Sequence, residues 1–378
     1  MLTFIWFFLA LSLLILVHEF GHYIMAKAFK VYVYEFSIFM GPLLYQRQIG
    51  ETKYSIRLLP IGGYCSMAGE LDMQANEQEQ IELPKERTMA GINRFKQFLI
   101  AFAGPFFNIV LAFLLMIVFF LGTGVQTNDG RVEIIENGLA YEAGLRSDMK
   151  IDSISSTVFE GSSTTIKSSG NDSEVTSYDE IVEVLNHFNE LKDLENGDTQ
   201  VIKIMSEGKE YTITRVFSDV TYKDEVLTNV EPKLGLGINV DSVNFIEATS
   251  LSFNANVTMG KLIFEAVGNL FTKEGFNNVS GIVGMYNAAE QFGQAGFYYI
   301  IYFVAMISIN LGIMNLLPFP ALDGGRILIL LGESITRKKL PTKVENFINN
   351  LGFIFLLGLI IAVTIKDIFF ATMLFSLI

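Results

Sequence analysis

Leu13 to Met25 reads LLILVHEFGHYIM and sets His18, Glu19 and His22 inside the first apolar run of the chain. Its neighbours are the residues of a buried or membrane helix. On a helix, positions four apart share a face, so His18 and His22 can offer two imidazoles to one metal ion. Glu19 lies about 100° further round the same turn, close enough to hold a water beside that ion. In the HExxH pattern of zinc hydrolases the metal acidifies the water and the glutamate takes its proton. Ionisable groups are costly in an apolar helix and are seldom found there without a task. The chain has three histidines in all, and two of them are here.

Working outward, 51% of the 378 residues are apolar and 33 are Phe, too greasy a composition for an ordinary soluble protein. Four uncharged runs approach the roughly 20 residues needed to cross a bilayer. They are Leu2 to Val17, Phe98 to Thr123, Phe297 to Leu317 and Phe347 to Ile365. The first is expected to be a retained span rather than a cleaved signal peptide. No basic residue precedes it, and cleavage near its end would strip the metal motif. With Cys65 as the single cysteine, neither an internal disulfide nor a cysteine-rich metal site is possible.

Charge divides the chain. Residues 123 to 296 carry 27 acidic and 12 basic side chains, a net of −15, while the remainder sums to +2. So acidic a segment argues against nucleic acid as a partner. Basic residues flank the spans at Lys27 and Lys30, at Lys85 to Lys96, and from Arg326 to Lys343. By the positive-inside rule these segments face the cytoplasm and 123 to 296 lies outside. His18 to His22 then falls at the cytoplasmic end of its span.

The resulting expectation is a multi-span α-helical membrane protein with four transmembrane helices and an inserted extracytoplasmic α/β domain. Residues 1 to 122 would hold the first two spans, with a glycine-punctuated β-hairpin at 31 to 69 and a polar surface loop at 71 to 86. The hairpin can dip into the bilayer only where protein or water satisfies its backbone. In the second span Pro105 frees a backbone carbonyl, and Asn108 is polar at membrane depth. The soluble domain would occupy 123 to 220, with strands near 132 to 135 and 151 to 154 and a flexible Ser/Thr-rich insertion at 162 to 177. A helix at 178 to 191, carrying His187 as a packing or surface residue, and a hairpin at 201 to 216 complete it. Residues 221 to 296 would be a linker and a membrane-peripheral amphipathic helix at 247 to 270. Residues 297 to 378 would hold the last two spans, with Lys366 and Asp367 at the outer end of the fourth.

Zinc with two histidines needs at least one more protein ligand and an open position for water. The third run ends in NLGIMNLLPFPALDGG, 310 to 325, where Asp323 is the only carboxylate. Histidine and cysteine are nearly exhausted elsewhere, so by elimination Asp323 is the best third ligand. The alternative is a solvated aspartate capping the helix that follows. It leaves the third span on the side where the histidines lie, which places the site near the inner leaflet.

With these residues in hand, the chain resembles the site-2 protease family of intramembrane zinc metalloproteases, in its bacterial branch that carries a PDZ domain. HEFGH at 18 to 22 and NLLPFPALDGGR at 315 to 326 are long, specific matches. LPIGGY at 59 to 64, AGPFFN at 103 to 108 and AYEAGLRSDMKIDSI at 140 to 154 are weaker ones. The resemblance implies one zinc ion on His18, His22 and Asp323, Glu19 as general base, and a single PDZ-like domain over 132 to 216. It implies that Gly62, Gly63 and Tyr64 belong to a membrane-re-entrant hairpin presenting substrate as an added strand. Asn310, Asn315, Pro318 and Pro320 would handle the unwound substrate. The substrate would be a single-span protein of a bacterial cytoplasmic membrane, such as an anti-sigma factor already cut by another protease, or a remnant signal peptide. Membrane lipid would surround the enzyme. Two other readings are a metal transporter or sensor, and a non-catalytic PDZ scaffold.

Overall fold

The computed structural model describes the whole chain except residues 1, 70–82, 162, 164, 187–193, 224–225, 271, 273–278, 280 and 377–378. It divides into two compact units, Met1–Gly122 with Asn244–Ile378, and Thr123–Val243.

The first unit is built on four long apolar helices. They are α1 (Leu2–Ala28), α2 (Arg94–Thr123), a third at Phe297–Leu316 and a fourth at Thr342–Ser376, each with a stretch long and apolar enough to cross a membrane. Much of their surface is exposed Leu, Ile, Phe and Val, which water would not tolerate over such an area. The chain is thus a multi-pass membrane protein.

Two strands follow α1, β1 (Val33–Ile49) and β2 (Thr52–Met67). Their register makes four segments of them. Residues 35–38 pair with 63–66 on one side and with 53–56 on the other, while 43–49 pair with 52–57. Each strand bends where the backbone turns left-handed, at Phe39 and Gly41 in β1 and at Gly62 in β2. The segment 63–67 is left as an edge, and it runs beside α1. The Ser12 hydroxyl donates to the Pro60 carbonyl, and Gly62 lies against Ile15. At the other end Lys27 grips Glu51 at 2.6 Å. Ala26, Val33, Phe36, Met67 and Ile100 form the core beneath.

The second unit begins with β3 (Val125–Gln126), β4 (Arg131–Ile134), α3 (Leu139–Glu142), β5 (Met149–Lys150), β6 (Ser153–Phe159) and β7 (Ile166–Glu174). It continues through α4 (Tyr178–Leu185), β8 (Thr199–Ser206), β9 (Lys209–Val216), β10 (Asp219–Lys223), β11 (Val226–Glu231), β12 (Leu236–Ile238) and β13 (Val240–Asp241). The main sheet has the order β7-β6-β8-β9, and a second has the order β12-β4-β5. Alternating residues of β6, β8 and β9 point inward, with Ile154, Ile202, Ile204 and Ile213 packing against Ile181 and Leu185 of α4. Ser177 and Glu180 close a capping box on α4. Arg131 binds Asp129, Asp148 and Asp241 at 2.8, 2.8 and 2.6 Å. The arginine ties the start of the unit to its end.

After it, α5 (Phe245–Asn269) and α6 (Ile282–Ala295) belong to the first unit, with the third long helix as α7, α8 at Asp323–Thr336 and the fourth long helix as α9.

The structure corrects several sequence expectations. Most of the Ser/Thr-rich stretch is strand β7, because ladder bonds to β6 satisfy its backbone whatever its side chains. The stretch from 221 is not a linker, since β10 to β13 complete the second unit, while the helix expected at 247–270 is present as α5 and, with α6, belongs to the first. The fourth candidate span ends at Asp367, as expected, although its helix runs on to Ser376 rather than stopping there. Asp367 accepts N–H bonds from Gly281 and Gly284 at 2.8 and 3.2 Å. Most of the expected polar loop at 71–86 and His187 lie outside the described residues.

Candidate metal centre

One turn of α1 carries His18 and His22, both buried. The helix cannot offer them to a common point unless a neighbour leaves room, and α2 does so at Gly104. A Cβ there would stand 2.3 Å from His22 Nε2 and 2.8 Å from His18 Nε2. At Gly21 a Cβ would meet the Ala103 carbonyl oxygen at 2.5 Å. Two glycines, one on each helix, therefore let α1 and α2 cross with the imidazoles between them.

The third partner arrives from α8, of which Asp323 is the first residue. After α7 the chain turns sharply through Leu317-Pro318-Phe319-Pro320, and Ala321 sits at φ 71°. Gly324 and Gly325 permit the tight return, since a Cβ on them would lie 2.1 Å from the Leu317 oxygen and 2.2 Å from the Phe319 oxygen. Asp323 makes no cap of its own helix. Its Oδ2 stands 3.0 Å from His18 Nε2 and 3.5 Å from His22 Nε2, and the two Nε2 atoms are 3.2 Å apart. Ligand atoms of a tetrahedral zinc site with bonds of 2.0–2.2 Å lie about 3.3–3.6 Å from one another. The donor set fits zinc. Among the described residues these three are the group of His, Cys, Asp and Glu that could hold a metal.

His22 Nδ1 lies 2.7 Å from the Ile100 carbonyl oxygen. A nitrogen facing a carbonyl must donate, so Nδ1 carries the proton and Nε2 keeps its lone pair for the metal. Pro105 removes the N–H that would reach the Ala101 carbonyl, yet His22 uses the carbonyl one residue earlier.

Glu19 is half-buried, and its Oε2 accepts the backbone N–H of Cys65 at 3.1 Å. Cys65 is buried in β2 and takes part through its main chain. The edge 63–67 of the hairpin thus borders the carboxylate.

These side chains line one cavity of about 530 Å³ together with Tyr64, Asn315, Arg326 and Asn349. Asn310 and Pro318 are exposed and Pro320 packs on Gly352, and none of the three lines the cavity. Gly62 and Gly63 are buried in the bend of β2, the latter so close to Ser37 that a Cβ would sit 2.7 Å from its oxygen. Gly104, the Ile100 carbonyl and the Cys65 N–H were not read from sequence. A glycine beside a proline within an apolar run was the one available signal.

Residues 6–359 match the model of peptidase family M50. The chain belongs to this family, the site-2 proteases. Its relatives match nearly end to end. A protein of Clostridium perfringens named as a zinc metalloprotease is 33% identical over 369 residues, covering 96% of this chain and 97% of its own. One of Clostridium acetobutylicum with the same kind of name is 31% identical, covering 95% of each. The protein of Enterococcus faecalis named as the protease Eep is 28% identical, covering 97% and 99%. This M50 peptidase is a zinc-dependent metalloendopeptidase, which sets aside the transporter and scaffold readings.

Proposed function

We propose that this M50 peptidase cuts a peptide bond inside the transmembrane segment of a single-span protein. The carrying observation is the convergence of His18, His22 and Asp323 on one point between apolar helices, with Glu19 in the same cavity. His18, His22 and Asp323 would hold the zinc ion. Zinc, when bound, acidifies water and polarises the carbonyl to be attacked. Glu19 takes the proton from the attacking water and returns it to the leaving nitrogen. The Cys65 N–H keeps the carboxylate turned toward the cavity.

A helix must unwind before its amide can be reached, and its lost hydrogen bonds need replacement. The edge 63–67 offers main-chain groups beside Glu19, so the substrate adds as a strand there, with Tyr64 and Asn315 at its side. Exposed Met40, Leu43, Leu44, Leu58 and Leu59 on the hairpin, which runs along α1, favour its immersion in lipid. Pro318 and Pro320 act through the shape of the turn after α7, and Asn310, exposed on α7, does not line the cavity.

In this reading the centre faces the cytoplasm of a bacterial membrane and the acidic second unit lies outside, which the basic flanks of the spans support. That unit, read as PDZ-like from its small sheets and the two helices among its described residues, admits substrates already shortened, such as trimmed anti-sigma factors or signal-peptide remnants. The test is Glu19→Gln in liposomes with a single-span model substrate. Zinc content stays at one per chain, and cleavage falls by about 10²–10⁴-fold. Cleavage at the normal rate would sink the mechanism.

A further inference from the structure

Asn108 of α2 is completely buried, one helical turn beyond Gly104 and on the same face. Its carboxamide lies against the other side of the His18 ring, with Nδ2 3.3 Å from His18 Nδ1. Among the described residues its Oδ1 is buried without a hydrogen-bond partner. Its main chain is anchored, because the carbonyl accepts the buried Ser308 hydroxyl of α7 at 2.8 Å.

His18 directs Nε2 toward Asp323 and His22, so a metal there takes the Nε2 lone pair. A neutral imidazole then carries its proton on Nδ1, and that N–H needs an acceptor. The carboxamide has the same shape whichever way it is turned, so a half-turn about Cβ–Cγ brings Oδ1 to Nδ1. Each orientation leaves one amide atom without a partner. The proton on Nδ1 decides between them, because two opposed N–H groups repel while the turned amide gains a bond.

We infer that Asn108 is a positioning residue for zinc, its Oδ1 accepting the Nδ1–H of His18 and thereby fixing the ring and its tautomer. His22 receives the same service from the Ile100 carbonyl, so each histidine is held from α2. The inference rests on the assignment of His18 as a zinc ligand.

The experiment measures zinc affinity of the whole purified chain by competition with a chromophoric chelator. Asn108→Leu, similar in size but without an acceptor, should weaken zinc binding by about 10–100-fold. Asn108→Asp, which supplies an acceptor oxygen, should stay within about threefold of wild type by the same reasoning. Wild-type affinity in Asn108→Leu, or equal loss in both variants, overturns the role. If His18→Ala binds zinc normally, the ligand assignment itself fails. A loss in His18→Ala with none in Asn108→Leu removes only the positioning role. Nitrogen-15 resonances of the zinc-loaded wild type, with only three histidines to resolve, test the claim should the variants not fold. A hydrogen-bonded proton on His18 Nδ1 supports it, and a proton on Nε2 overturns it.

Discussion

Replacing Gly104 by alanine adds one methyl group where the two imidazoles meet. The new carbon would stand 2.3 Å from His22 Nε2, 2.6 Å from its Cε1 and 2.8 Å from His18 Nε2. Comfortable contact is about 3.5 Å, so the His22 ring must retreat by roughly 1 Å. That is half the length of a zinc–nitrogen bond. Overpacking of this kind costs about 1–3 kcal/mol. Charged against metal binding, this weakens zinc by about 5- to 150-fold. The helix itself gains, since alanine is preferred over glycine by about 1 kcal/mol in a helix interior. The variant therefore binds zinc poorly while its zinc-stripped form melts no lower than that of wild type. Chelator competition gives the affinity, and the visible spectrum of the cobalt-substituted protein reports the ligand geometry. Gly332→Ala in α8 is the control, because among the described residues nothing beyond its own stretch of helix backbone lies within 4 Å of its added Cβ. Zinc affinity within twofold of wild type in Gly104→Ala would refute the reasoning, as the methyl group would have found room that the crossing of α1 and α2 denies it.

Two further outcomes are expected. Asp323→Ala loses bound zinc and peptidase activity together, as metal analysis and cleavage on the same samples would record. Zinc retained at one per chain would move the third ligand elsewhere. In the second unit, burial opposes ionisation of Asp198, but Lys167 at 2.9 Å and the N–H groups of Glu195 and Gly161 outweigh it and hold its pKa below the ordinary aspartate value. A depressed folded pKa gives stability that is present above the ordinary value, about 3.9, and lost as pH falls through the folded one. Amide-exchange protection of β8 should therefore fall on acidification below that ordinary value, and less so in Asp198→Asn. Equal pH dependence in the two proteins would remove Asp198 from the account.

The sequence by itself determined what local geometry and solvent dictate. His18 and His22 share a helix face because they are four residues apart. The spans follow from the length of apolar runs, and the strands of the second unit follow from alternation in Val201 to Val216. Asp323 could be named a candidate ligand by elimination because the chain holds so few other histidines and cysteines. The tertiary structure decided whatever depends on groups that leave no pattern in the sequence. The N–H of Cys65 and the carbonyl of Ile100 exist at nearly every residue, and only folding brings these two to Glu19 and His22. Ladder bonds make β7 a strand although its side chains are those of a loop. Gly104 is one of 32 glycines, and its purpose appears only where α1 crosses α2. The chain announces its candidate ligands, whereas the space between them and the groups that orient them belong to the fold, because close approach and backbone hydrogen bonds are set by packing across more than 300 residues rather than by neighbours along the chain.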